Sequence, residues 1–234
     1  MIASKDLIGV VFDTETTGFS DPTRIVEAAY IGLDSTFGQL GEFVSRYNPG
    51  RPIDLGAKAT HHILESELVD CPSSDTFMLP PNAQYLIGHN IDYDWSAIGK
   101  PEFNLEGAPI RRICTLALAR EHLPDLDSHN QSAMLYHILG DSARPLLKEA
   151  HSALQDVQNC LILVDYFLNK LRIQGLDHLW ELSEQARIPK KMTWGKHDGT
   201  AIEALPRDYK NWLLRQEWLD EKWPYHRKAI LATM

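Results

Sequence analysis

Two carboxylates one residue apart, Asp13 and Glu15, close a short apolar run and open the segment Asp13-Thr14-Glu15-Thr16-Thr17-Gly18. Residues i and i+2 of a strand project to one face. Placed so, the pair can hold hard divalent cations through oxygen. The plain alternative is a polar strand end entering a glycine turn. An Asp-x-Glu pair alone is common, and only the full run after an apolar strand is specific. A second cluster is Gly88-His89-Asn90-Ile91-Asp92-Tyr93-Asp94. Asp94 there is either a ligand or, with Asn90, a cap for the helix that follows. Asp92 is a rival carboxylate, and spacing does not choose between the two. The third is His151-Ser152-Ala153-Leu154-Gln155-Asp156. His151 lies near the start of a long helix and Asp156 in its second turn. The positive end of a helix disfavours imidazolium, which keeps a base neutral at pH 7. A structural histidine is the competing reading.

Elements must carry these groups. Ile8–Asp13, Arg24–Leu33 and Gly41–Tyr47 read as three strands joined by short turns, an antiparallel meander. Asp54–His61 and Glu65–Asp70 read as helices, and Tyr85–His89 and Arg112–Thr115 as strands. Leu116–His122, Gln131–Leu139 and Ser152–Ile173 read as helices. The last has apolar residues at helical spacing, among them Leu154, Val157, Leu161, Val164 and Leu168. Strands first, then strands alternating with helices, predict an α/β fold: a mixed sheet flanked by helices. Gly175–Lys191 reads as a helix and connector, and Met192–Gly199 as a turn-rich segment. Asp208–Trp218 and Lys222–Met234 read as short helices.

The 234 residues, 44% hydrophobic and 24% charged, suit one sizeable domain with an appendage. Cys71, Cys114 and Cys160 are odd in number and widely spaced, which fits reduced thiols in a cytoplasmic protein rather than a disulfide framework. His61 and His62 lack a cysteine at ligand spacing, so zinc is not expected. The apolar run ending at Asp13 is too short for a signal peptide, and no run is long enough to span a bilayer. The net charge of −9 argues against broad electrostatic wrapping of nucleic acid but leaves it open as a substrate. Residues 175–234 hold ten Lys and Arg against nine Asp and Glu, so the acidity belongs to the residues before them.

Taken together, the three segments resemble the DEDDh (DnaQ-like) 3′→5′ exonucleases, which include the proofreading subunit of the bacterial replicative polymerase. The matches are D-x-E-T-T-G at Asp13–Gly18, H-N-x-x-[FY]-D at His89–Asp94 and H-x-A-x-x-D at His151–Asp156. Alignment on the second pattern selects Asp94 over Asp92. The tyrosine subgroup would place Tyr where Ser152 stands. The resemblance implies a ribonuclease H-like fold over residues 1–174. It also implies two Mg²⁺ ions, with Mn²⁺ as a substitute, about 3.5–4 Å apart, on Asp13, Glu15, Asp94 and Asp156. His151 would be the general base. Thr14, Thr16, Thr17, Phe19, His61 and Asn90 would line the substrate. Phe19 reads equally well as a core aromatic, His61 as structural, and Asn90 as orienting its loop. The expected substrates are single-stranded or frayed DNA 3′ ends. The alternatives are an RNA exonuclease of the ribonuclease T or oligoribonuclease type, and a catalytically silent nucleic-acid-binding module.

A closer resemblance is to the exodeoxyribonuclease X branch. Its marks are Ala59-Thr60-His61-His62-Ile63, Ile113-Cys114-Thr115-Leu116-Ala117-Leu118-Ala119-Arg120, Trp194-Gly195-Lys196-His197-Asp198-Gly199 and Asp208-Tyr209-Lys210-Asn211-Trp212-Leu213. It implies a small C-terminal module over residues 175–234. Trp194 and His197 depart from that branch's usual Phe and Tyr. Trp194, Lys196, Tyr209, Lys210, Trp212 and Arg215 interleave aromatic with basic residues, the composition of a nucleic-acid tether. The same aromatics could instead be the module's own core.

Overall fold

The computed structural model describes residues 4–147 and 152–234. The chain forms two compact units, Met1–Ser183 and Glu184–Met234.

The first unit is built on a five-stranded mixed sheet. Its strands are β1 (Gly9–Thr16), β2 (Ile25–Leu33), β3 (Gln39–Arg46), β4 (Tyr85–Gly88) and β5 (Arg111–Cys114). Their order is β3-β2-β1-β4-β5. β1–β2 and β2–β3 pair antiparallel, whereas β1–β4 and β4–β5 pair parallel. The meander and the change to parallel pairing follow the expectation from sequence. So do the helices α1 (Leu55–His61), α3 (Thr115–His122), α4 (Gln131–Leu139) and α5 (Ala153–Leu171). A further helix, α2 (Ile91–Ala97), follows β4, and α6 (Leu176–Ala186) follows α5. Glu65–Asp70 is not an α-helix. Only Glu65–Glu67 makes a 3₁₀ turn, because both glutamates serve local backbone donors: Glu65 accepts from Ile53 N and Glu67 from Leu64 N.

Side-chain alternation along β1 divides the packing. Val10 and Phe12 enter the cluster that contains Tyr30, Leu86 and Ile91, the first residue of α2. Val11, Asp13 and Glu15 therefore point to the opposite face. α5 packs against β1 and β2. Its apolar stripe, Val157, Leu163, Val164 and Phe167, is almost wholly buried. Each such side chain contributes roughly 1.5–3 kcal/mol. Ser152 caps the helix, its hydroxyl accepting from Gln155 N at 3.3 Å.

The second unit holds three short helices, α7 (Arg207–Leu214), α8 (Glu217–Lys222) and α9 (Pro224–Leu231). The helix expected over Asp208–Trp218 is divided, since the Gln216 side chain donates to the Trp212 carbonyl at 2.8 Å near the end of α7. Met192, Ile202, Leu205, Leu213, Leu219 and Ile230 form this unit's core. Among the described residues, no helix is long and apolar enough to cross a membrane.

Candidate active site

β1 outruns its parallel neighbour. β4 pairs with Gly9–Val11 only, so the far end of β1 keeps a backbone edge with no strand beside it. Three carboxylates gather on the α5 face of that end. Ligand oxygens of Asp13, Glu15 and Asp156 all lie within 4.8 Å of one another. Asp156 sits in the first turn of α5, one turn earlier than the sequence suggested, so the helix start directs it at the strand pair.

Asp94 arrives from the other side. It is the fourth residue of α2, buried, and its Oδ1 accepts from both Thr14 N (2.9 Å) and Thr14 Oγ1 (2.8 Å). Thr14 lies between Asp13 and Glu15 and faces α2, so it ties the second acidic segment to the free edge of the first. Asp94 is not an N-cap, and the Asn90 side chain makes no capping bond either. Asn90 is an exposed residue at φ +74, which turns the chain from β4 into α2. Asp92 points elsewhere and pairs with Arg112.

The electrostatics suit a cation. Burial is the first cause that raises the Asp13 carboxyl well above its ordinary range; the charges of Asp94, Asp156 and Glu15 add to it. Burial, then Asp156 and Glu27, push Glu15 up to about 8. Burial pushes Asp94 up to about 7 against the Thr14 hydrogen bonds, which pull it down. Several negative groups sharing one desolvated site repel each other unless protons or a cation intervene. An all-oxygen donor set of this kind fits hard divalent cations.

A cavity of about 500 Å³ opens beside the carboxylates, lined by Glu15, Thr16, Phe19, Thr60, His61 and Tyr93 among others. Phe19 is 89% exposed and edge-on to Tyr93 at 5.4 Å, so it is not a core aromatic. The Thr16 hydroxyl bonds the Tyr93 hydroxyl. His61 is buried and neutral in form. Ile63 N donates to its Nδ1, so its proton lies on Nε2, which donates to Thr16 O at 3.2 Å. Burial lowers its pKa. Thr17 is fully buried, accepts from Arg24 N and does not line the cavity. Gly18 has φ +114, and a Cβ there would run into the Asp54 carboxylate, which also accepts from Ser20 Oγ. A larger cavity of about 640 Å³ lies beyond Tyr93 near Arg24, Ser96 and Lys100, and none of the four acidic residues lines it. His151 lies outside the described residues.

One residue escaped the sequence reading. Glu27, buried on β2 directly opposite Glu15, accepts from Ala153 N (3.1 Å) and from Arg46 Nε (3.1 Å). It fastens the first turn of α5, and with it Asp156, to the sheet. The available signal was a lone acid in the otherwise apolar run Ile25–Leu33. Glu27→Ala is expected to lower the unfolding free energy by about 1.5–3 kcal/mol, the range for hydrogen bonds to a charged group. Glu27→Gln keeps the acceptor for Ala153 N and is expected to cost less. Denaturant titration of both variants checks this, and equal losses would show that the helix-start bond does not carry the effect.

Residues 10–164 match the exonuclease family model. Exodeoxyribonuclease 10 of Escherichia coli (strain K12) is 27% identical over 227 residues, 94% of this chain and 96% of that protein. A solved exonuclease X in complex with 5′ overhanging duplex DNA superposes with a TM-score of 0.59 at 23% identity, covering 75% of this chain and 99% of that one. A 3′-exonuclease described as recognising the histone mRNA stem-loop has a TM-score of 0.52 at 13% identity, covering 72% of this chain and 84% of that one.

Proposed function

Because this chain belongs to the exonuclease family and is a 3′→5′ exonuclease, we propose that it hydrolyses the terminal phosphodiesters of DNA, releasing nucleoside 5′-monophosphates. The observation that carries this reading is the cluster of Asp13, Glu15 and Asp156 within 4.8 Å, whose mutual repulsion calls for divalent cations. Asp13, Glu15, Asp94 and Asp156 would hold two Mg²⁺ ions. Such ions supply a water of lowered pKa and stabilise charge on the leaving oxygen.

The chain's own groups do the rest. Thr14 fixes Asp94 in place. Thr16 and Tyr93 form one wall of the cavity that takes the terminal nucleoside, and exposed Phe19 stacks on or wedges the last bases. Among the other expected contacts, His61 acts through the Thr16 carbonyl it holds, Asn90 orients its loop, and Thr17 supports the loop from beneath. His151 takes the proton of the attacking water as its oxygen bonds to phosphorus. The bond from phosphorus to O3′ breaks in the same displacement, its electron pair stays on O3′ of the shortened strand, and O3′ takes a proton from solvent.

Similarity to exodeoxyribonuclease 10 across 94% of the chain supports DNA as the substrate. Matched end-labelled DNA and RNA strands test it directly. The expected result is faster release of deoxynucleotides than of ribonucleotides, abolished by EDTA and restored by Mg²⁺. Faster ribonucleotide release would move the assignment to an RNA exonuclease, and no release of either would leave a binding module.

A further inference from the structure

The aromatic residues of the second unit fall into two populations. Trp194 belongs with the core: it packs on that cluster and meets Trp218 and Trp223 at 5.4 and 5.5 Å. Lys210 is also turned inward. It is 4% exposed, and its ammonium donates to the carbonyls of Glu203 (3.1 Å) and Thr233 (3.4 Å). Two of the residues that suggested a tether therefore serve this unit's own structure.

Tyr209 packs on the same cluster and links it to a further row of rings. His197, Tyr209 and Trp212 form a row with ring centroids 4.4 and 5.5 Å apart, and the Tyr209 and Trp212 planes differ by only 20°. The Lys196 ammonium lies 4.9 Å from the centre of the Tyr209 ring. Trp212 is 48% exposed, while Leu213, the next residue of α7, is fully buried. Burial of the largest apolar side chain would be the stabilising arrangement, so the core does not explain its position. The charge also changes sign: residues 184–234 hold ten Lys and Arg against seven Asp and Glu, whereas residues 1–183 hold 13 against 25.

We propose that Tyr209 and Trp212, with His197 and Lys196, form a stacking platform for the unpaired bases of single-stranded DNA. Backed by Tyr209, the exposed Trp212 ring offers a flat apolar face that any base can cover, and Lys196 offers a cation to the phosphates. Such a platform holds a strand without reading its sequence. The choice of DNA rests on the substrate reading above.

The test uses the full-length protein and a labelled single strand of about 20 nucleotides in EDTA, where cleavage is suppressed. Trp212→Leu, which keeps apolar bulk but loses the ring, is expected to weaken binding roughly five- to hundredfold, the range for one lost stacked base. Trp212→Phe is expected to retain most of the affinity. Lys196→Ala is expected to make the salt dependence shallower by about 0.7 in log–log slope, the value for one phosphate contact on a single strand. In a second measurement, single-stranded DNA should quench the wild-type tryptophan fluorescence, and Trp212→Phe should remove most of that quench. The platform is overturned by wild-type affinity in Trp212→Leu, by equal losses in the Leu and Phe variants, or by an unchanged quench. If the wild type cleaves DNA yet these variants bind normally, the platform alone fails; if the wild type cleaves no DNA, the substrate reading fails.

Discussion

Asp13→Asn is expected to reduce hydrolysis by at least about 10³-fold and, in metal-free buffer, to raise the midpoint of thermal unfolding. The first effect follows from the place of Asp13 in the carboxylate cluster, where Asp94, Asp156 and Glu15 all act on it. Losing a single group that stabilises developing charge already costs on the order of 10²–10³ in rate, and Asp13 would serve both cations. The second effect follows from burial and repulsion, which raise the Asp13 carboxyl well above its ordinary range. The sign is fixed by linkage. A carboxylate with a raised folded pKa binds more protons folded than unfolded, so stability falls as pH rises through that interval. For Glu15 the interval runs from its ordinary value to about 8. The metal-free wild type should therefore lose stability between about pH 4.5 and 8, and the asparagine variant should lose less. Added Mg²⁺ should stabilise the wild type far more than the variant. Wild-type turnover in the variant would sink the assignment of the site, and equal metal-free midpoints at pH 8 would sink the electrostatic account of it.

His151→Ala is expected to lower turnover about 10²–10⁴-fold, the usual contribution of a positioned base. In the sequence His151 immediately precedes Ser152, and it is the histidine of the H-x-A-x-x-D pattern that ends at Asp156. A histidine base accepts a proton only as the neutral imidazole. Mg²⁺-induced stabilisation should survive the substitution, since the four acidic residues remain. Turnover at the wild-type rate across neutral pH would mean that another group activates the water.

Much of this arrangement was legible from sequence because it depends on periodicity. A carboxylate pair at i and i+2 on an apolar strand has one face to occupy, and Asp13 and Glu15 occupy it. The meander and the long amphipathic α5 were equally open to reading. What stayed hidden depends on contacts between distant segments. Nothing in the spacing of Asp92 and Asp94 says that Arg112 captures the first and Thr14 the second; only alignment on a family pattern separated them. Glu27 resembled a stray acid until the start of α5 was laid on it. Lys210 read as one of the basic residues of a nucleic-acid tether, yet two carbonyl oxygens draw it inward.

The sheet's two borders bear on a different matter, its fate at high concentration. A bare strand edge is a template on which another chain can add a strand, the first step toward aggregation. Here one border is β3, whose register with β2 slips between Ile31 and Leu33 and whose solvent side carries charge, with Glu42 exposed. The other border is β5, only four residues long, with Arg111 bound to Asp177 and Arg112 to Asp92. The backbone N–H of Cys114, at the end of β5, is already taken by the hydroxyl of Ser183 from α6 at 2.8 Å. β5 is thus short and tied down, while β3, eight residues long, is irregular in register and charged. Intermolecular strand addition is therefore disfavoured at both borders, and undocking of α6 or fraying of β3 would weaken that protection.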